Sequence, residues 1–221
     1  MDGLRWTVVV PVKDATVGKS RLAGVLADDR RAALVRSMAL DTIAAALAAA
    51  PVALVVVVSG DEELDGTLAG RPGVLLLAEP GGRTVSAGLN VAVLAGIDEA
   101  RRSCRGAGVA VLLADLPMLT PGELSAALAA AAGHERAMVA DVAGTGTTLL
   151  TAGPGVSMVP TFGPGSARAH QALGHVLLEV PAGSGLRRDV DLPGDLAALR
   201  TGSPGRWTSA VLGWAQYCWR G

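Results

Sequence analysis

Short Val- and Leu-rich runs, closed by Pro, Gly or Asp, alternate along the chain with longer Ala-rich stretches whose apolar positions recur at helical spacing. The first three segments, Thr7 to Val12, Asp28 to Ala49 and Val52 to Val58, read as strand, helix, strand. The pattern then predicts a short strand at Val74 to Leu77, a helix over Thr84 to Arg102, a strand at Val109 to Leu113 and a helix from Thr120. Strands that are apolar at successive positions need cover on both faces, so helices are expected on both sides of one sheet. The helix after Thr120 carries its start signals in order, with Thr120 as N-cap, Pro121 in the first turn and Glu123 three residues after the cap. Beyond Met138 the alternation loosens into Gly- and Pro-rich loops at Gly144 to Gly146, Gly153 to Gly155 and Gly163 to Gly165, with a strand at Thr147 to Thr151 among them. A short helix through His170, another over Pro193 to Arg200 and a helical tail over about 204–221 complete the reading. The tail segment from Trp207 holds three of the four Trp residues and the only Tyr.

A length of 221 residues suits one α/β domain spanning 1–221. Half the residues are hydrophobic and only 3% aromatic, which excludes general disorder and makes the core aliphatic. A net charge of −1 provides no field to draw the chain to nucleic acid or anionic lipid. The apolar run from Ile43 to Val58 is broken by Pro51, and Trp6 to Val12 is too short for a signal-peptide core, so no membrane association and a cytoplasmic location are expected. Cys104 and Cys218 have neither metal-ligand spacing nor the number for a disulfide framework.

Of 19 basic residues, 17 are Arg; both lysines, Lys13 and Lys19, fall in the loop after the first strand. That loop ends Gly18-Lys19-Ser20-Arg21 and approaches a phosphate-binding P-loop, but Lys13 stands where the first glycine belongs. Lys13, Lys19 and Arg21 remain able to converge on an anion at the carboxyl end of a strand, with polyphosphate the natural guest. The alternative is a solvated basic loop.

Asp115 follows an apolar strand, where open α/β sheets bind ligands. Asp189 and Asp191 flank Val190, so extended backbone turns both carboxylates to one side. Such carboxylates repel unless a cation bridges them, and Mg²⁺ takes a few carboxylates together with phosphate oxygens. A cap or turn role is the alternative for each. Gly144-Thr145-Gly146-Thr147 and Phe162-Gly163-Pro164-Gly165-Ser166 offer N–H groups and hydroxyls for a small phosphorylated acid, although Ser166 could simply cap the helix after it. His134, His170 and His175 are too scattered for a metal site, and His170 is expected at the surface.

Together these motifs resemble the phosphoenolpyruvate / 2-phospho-L-lactate guanylyltransferase family, which makes the guanylylated precursor of the deazaflavin coenzyme F(420). The resemblance rests on Val10-Pro11-Val12-Lys13, Gly18-Lys19-Ser20-Arg21-Leu22, Asp115-Leu116-Pro117, Asp141 with Gly144-Thr145-Gly146-Thr147, Phe162-Gly163-Pro164 with Ser166, and Gly185-Leu186-Arg187 with Asp189-Val190-Asp191, in the family's order. It implies a single-domain, Rossmann-like nucleotide-diphospho-sugar transferase fold with a mostly parallel mixed sheet. It further implies GTP as donor, Mg²⁺ as cofactor and a three-carbon phospho-acid, foremost phosphoenolpyruvate, as acceptor. Carried over, Asp115, Asp189 and Asp191 would hold metal, while Thr147, Gly163 and Ser166 would hold the acceptor. Lys13, Lys19 and Arg21 would serve the nucleotide and the chemistry. Ser86 and Asn90, with Gly82-Arg83, resemble the second nucleotide-binding stretch of related cytidylyltransferases. Expected partners are GTP and a small phosphorylated acid, with a homodimer left open. Another cytidylyl- or guanylyltransferase of this fold, or a non-catalytic nucleotide-binding module, are the alternatives. The Trp-rich tail has no counterpart in the pattern.

Overall fold

A computed structural model describes residues 3–16, 19, 22, 24–80 and 88–218, with side chains in the last helix described to residue 213. Among these described residues seven strands form one sheet: β1 (Trp6–Val12), β2 (Val52–Ser59), β3 (Val74–Ala78), β4 (Gly108–Leu112), β5 (Arg136–Ala140), β6 (Thr147–Ala152) and β7 (Val176–Leu177). Their spatial order is β3-β2-β1-β4-β6-β5-β7. All pairings are parallel except those of β6, which runs against both β4 and β5. Every residue of β1, β4 and β6 is buried, as the unbroken apolar runs require. The strand order reverses between β1 and β4, and the crevice beyond their carboxyl ends is where such sheets take ligands.

The helices are α1 (Asp28–Ala48), α2 (Glu62–Leu68), α3 (Leu89–Ser103), α4 (Pro121–Ala131), α5 (Ser166–Ala172), α6 (Pro193–Thr201) and α7 (Arg206–Cys218). One apolar layer joins α1 and α4 to one sheet face through Trp6, Val8, Ile43, Leu112, Leu124 and Leu128. The opposite layer joins α3 and α5 to Val9, Val56, Val111, Met138 and Leu150. Thr120 and Glu123 close the expected capping box at α4, the Thr120 hydroxyl accepting from Glu123 N–H at 3.3 Å and the Glu123 carboxylate from Thr120 N–H at 2.9 Å.

The sequence pattern missed three elements: α2, β5 and the two-residue β7. β5 is an interior strand, paired along its length with β6 and at Ala137 and Met138 with β7, and hidden because Arg136-Ala137-Met138-Val139-Ala140 shows no alternation and leads straight into the Gly-rich loops. The predicted helix over Thr84 to Arg102 is α3 from Leu89 onward; its first four predicted residues lie outside the described ones.

The tail acquires a definite position. Near the middle of α1, the buried Asp41 carboxylate accepts from Trp207 N–H at 3.2 Å and Thr208 N–H at 2.8 Å, capping α7 from outside its own chain segment. Asp41→Ala leaves two helix-end donors without this acceptor. We expect a loss of about 1–2 kcal/mol, seen as a thermal midpoint lower by roughly 2–8 °C. Asp41→Asn should recover only part of the loss, because its single amide oxygen can accept from one of the two N–H groups; an unchanged midpoint in the alanine variant would refute the capping role.

Candidate active site

Lys13 and Asp115 follow the two strands that flank the reversal, so the topology alone brings them to one crevice. A cleft of about 1160 Å³ opens there, and its lining includes Lys13, Lys19, Asp115, Asp189 and Asp191 together with Thr147, Gly163 and Ser166. Carboxylate oxygens of Asp115, Asp189 and Asp191 lie within 4.8 Å of one another. Val190, between the paired aspartates, is buried in a small cluster with Leu22, Met38 and Leu199, which turns its neighbours toward the cleft. Val190 N–H also donates to Asp115 C=O at 3.2 Å, tying the two acidic segments together directly.

The alternative of a capping cluster before α6 is answered by a different residue. Asp195 accepts from Asp191 N–H at 2.9 Å and Leu192 N–H at 2.7 Å, leaving the carboxylates of Asp189 and Asp191 for the cleft. The turn that delivers them, Gly185–Arg187, approaches the Met118–Leu119 backbone so closely that a Cβ on Gly185 would collide with it. Glu123 has a second task here, accepting from Gly185 N–H at 2.9 Å. Arg187 donates to Ala140 C=O at 3.2 Å and Asp141 C=O at 2.9 Å, anchoring the same turn to the end of β5.

Lys19 places its ammonium between Asp115 and Asp191 and hydrogen-bonds to both. Burial acts against its charge, but the two carboxylates prevail and hold its pKa above the ordinary lysine value. It is also the one non-glycine among the described residues with positive φ, at 52°; that left-handed backbone is unusual for a side-chain-bearing residue and marks a constrained position. Asp189 lacks such a partner among the described residues. Burial first, then the adjacent Asp115 and Asp191 charges, push its pKa up to about 7. Asp115 Oδ1 is buried and has no hydrogen-bond partner among the described residues. A buried carboxylate oxygen without a donor, beside a carboxyl that resists ionising, fits a hard divalent cation bound through oxygen.

Asp141, also in the cleft lining, braces the Gly144–Gly146 loop by accepting from Thr145 N–H at 2.9 Å and Gly146 N–H at 2.8 Å. Gly163 has φ 137°, a conformation that favours glycine, and exposes its backbone to the cleft. Ser166 is buried in the first turn of α5 rather than capping it; Gly165 is the N-cap.

The other predicted site residues fare unequally. Lys13 borders the cleft near Glu79, whose carboxyl is pushed up by burial against the opposing pull of Lys13. Arg21 and Ser86, like Gly82 and Arg83, lie outside the described residues. The Asn90 amide is committed to Phe162, donating to its C=O at 3.0 Å and accepting from its N–H at 2.8 Å, so it braces the Gly163 loop. His170 is a correction: it is wholly buried, because α5 presses it against Thr147, Thr161 and Phe162. Thr42 was not anticipated either. Its hydroxyl donates to Met38 C=O at 2.9 Å or Ala114 C=O at 3.1 Å and accepts from Leu116 N–H at 3.2 Å, bracing the backbone on both sides of Asp115. The signal available was a polar pair, Asp41-Thr42, inside the otherwise apolar Met38 to Ala49 stretch.

The model of the CofC-like guanylyl transferase family matches residues 6–170. The chain belongs to this family. It is 45% identical over 246 residues to the phosphoenolpyruvate guanylyltransferase of Sanguibacter keddieii, covering 96% of this chain and 86% of that protein. It is also 45% identical to the enzyme of the same name from Streptomyces scabiei, covering 94% and 96% of the two chains. A solved structure from Desulfovibrio desulfuricans G20, described as of the nucleotide-diphospho-sugar transferase type, superposes with TM-score 0.71 at 19% identity, covering 96% and 95% of the chains. A Mycobacterium tuberculosis H37Rv protein solved with manganese superposes with TM-score 0.54 at 17% identity, covering 90% and 98%. The family member is thus a nucleotidyltransferase with the mixed α/β sheet of the nucleotide-diphospho-sugar transferases, as the sequence motifs implied. No helix among the described residues is long and apolar enough to cross a membrane.

Proposed function

We propose that this guanylyltransferase moves GMP from GTP to the phosphate of phosphoenolpyruvate, releasing pyrophosphate, with Mg²⁺ as cofactor and as a cytoplasmic step toward coenzyme F(420). The observation that carries the reading is one cleft whose lining combines a carboxylate cluster bonded to Lys19 with the Gly/Thr/Ser residues Thr147, Gly163 and Ser166. The names of the relatives support the acceptor.

In this reading an acceptor phosphate oxygen attacks the α-phosphorus of GTP, a P–O bond forms, and the bond to the β-phosphate breaks, sending its electron pair to pyrophosphate. A phosphate monoester with a second pKa near ~6 is already a nucleophilic dianion at neutral pH, so no protein base is needed. The residues' work is to bring two anions together in line and offset their repulsion. Lys13, Lys19 and Arg21 supply fixed positive charge to the triphosphate, with Ser86 on the nucleotide side, while Asn90 acts only indirectly, through its brace on Phe162. Thr147, Gly163 and Ser166 hold the acceptor through a hydroxyl and backbone N–H groups. Asp115, Asp189 and Asp191 would hold Mg²⁺, which when bound neutralises phosphate charge and polarises the α-phosphoryl group.

The test is pyrophosphate release with Mg²⁺ across a panel of GTP, ATP, CTP and UTP against phosphoenolpyruvate, 2-phospholactate and 3-phosphoglycerate. GTP with phosphoenolpyruvate should give the highest kcat/KM. Preference for CTP would sink the donor assignment, and preference for 2-phospholactate would sink the acceptor assignment while leaving GMP transfer intact.

A further inference from the structure

The buried imidazole of His170 has a partner on each ring nitrogen. Thr161 N–H donates to Nε2 at 2.9 Å, and Nδ1 lies 2.9 Å from the Thr147 hydroxyl oxygen. A backbone N–H only donates, so Nε2 presents its lone pair, and a neutral ring must then carry its proton on Nδ1. The ring is neutral at working pH, since burial, reinforced by the neighbouring His175, pushes its pKa down to about 4. Nδ1–H therefore donates to Thr147. The surroundings hold this arrangement: Phe162 packs edge-on against the ring with centroids 5.1 Å apart, and Asn90 grips both polar backbone groups of Phe162. His175 closes the far side with centroids 5.6 Å apart.

We propose that His170 is a positioning residue that occupies an acceptor lone pair of Thr147 and thereby commits the hydroxyl proton to the cleft, as a donor to the anionic group of the phospho-acid. The inference rests on the acceptor reading given above and adds a residue that does not itself line the cleft. An unconstrained threonine hydroxyl can turn its lone pairs or its proton toward a ligand. With His170 donating from behind, the proton is left for the cleft side, where a hydrogen bond to an oxyanion is charge-assisted. The same histidine connects β6 to the Thr161-Phe162-Gly163 loop and lies one helical turn after Ser166.

Two amide substitutions separate the two ring nitrogens. His170→Asn places an N–H₂ near the position of Nδ1 and preserves the donor to Thr147. His170→Gln reaches the position of Nε2, preserving the acceptor for Thr161 N–H while losing the donor. We expect His170→Gln to raise the KM for phosphoenolpyruvate by tenfold or more with the KM for GTP little changed, and His170→Asn to stay within about threefold of wild type. Adding Thr147→Val to His170→Gln should bring little further loss, since the two act as one unit. Imidazole ¹⁵N NMR of the wild-type protein should show His170 as the Nδ1–H tautomer. An Nε2–H tautomer overturns the proposal, as does a His170→Gln variant that keeps the wild-type acceptor KM or raises both KM values equally. Wild-type protein that turns over no phosphoenolpyruvate overturns the acceptor reading first and this inference with it; active wild type with an indifferent His170→Gln overturns the inference alone.

Discussion

Asp189→Asn is expected to silence turnover while making the metal-free protein more stable. Loss of one charged oxygen ligand should lower kcat/KM by roughly a hundredfold or more, if the cluster holds the cation that steadies the triphosphate. Stability moves the other way because Asp189 is strained electrostatically: burial and the charges of Asp115 and Asp191 raise its pKa to about 7. The folded protein therefore binds a proton that the unfolded chain, with an ordinary carboxyl near ~4, has released. The fold is undisturbed by this group below pH ~4, loses stability as pH rises through 7, and carries the full penalty above it. Asparagine removes the penalty. In chelator, the variant should match wild type near pH 4 and exceed it near pH 8 by on the order of 1–2 kcal/mol, after allowance for the solvent that reaches the cleft. Thermal midpoints at the two pH values, with pyrophosphate release in Mg²⁺, check both halves. A variant that is active, or that is less stable at pH 8, would remove Asp189 from the cluster's electrostatics.

This opposition between stability and chemistry explains which parts of the molecule were legible in the sequence. Strands β1, β2 and β4 announce themselves because burial on both faces forces uninterrupted apolar runs. Asp189-Val190-Asp191 was legible too, since two charges around one apolar residue make sense only if Val190 is buried and its neighbours face outward together. β5 was not, because its identity comes from pairing with β6 and β7 and not from its own five residues. His170 was misread for a related reason. A histidine becomes a core residue only when two partners far away in sequence, here Thr147 and Thr161, satisfy both nitrogens, and no local pattern reports that. Asp41 and Thr42 stand between these cases: adjacent on α1, one caps α7 and the other braces the Asp115 backbone, and only their polarity in an apolar stretch hinted at either task.

Lys19→Met should give the complementary result to Asp189→Asn, losing activity and stability together. In the metal-free protein Lys19 is the cation of the cluster, bonded to Asp115 and Asp191, whose side chains are 18% and 47% exposed. The Asp115 pair is the more sheltered and should account for most of the effect; the Asp191 pair is discounted by its exposure. Methionine keeps the length and apolar stem but leaves three mutually repelling carboxylates without their counter-charge. A loss of about 1–3 kcal/mol follows, lowering the midpoint by roughly 2–10 °C. The decisive measurement is the response to a divalent cation. If the carboxylates form a cation site, millimolar Mn²⁺ or Mg²⁺ should raise the midpoint of Lys19→Met by more than that of wild type, because binding to the folded state replaces the missing charge and meets no competing ammonium. Turnover should nevertheless stay depressed by roughly a hundredfold, since the metal cannot also take the place of the positive charge that Lys19 brings to the triphosphate. A Lys19→Met protein as stable as wild type in chelator, or one that the cations leave unmoved, would show that the three aspartates do not act as one cation-dependent unit.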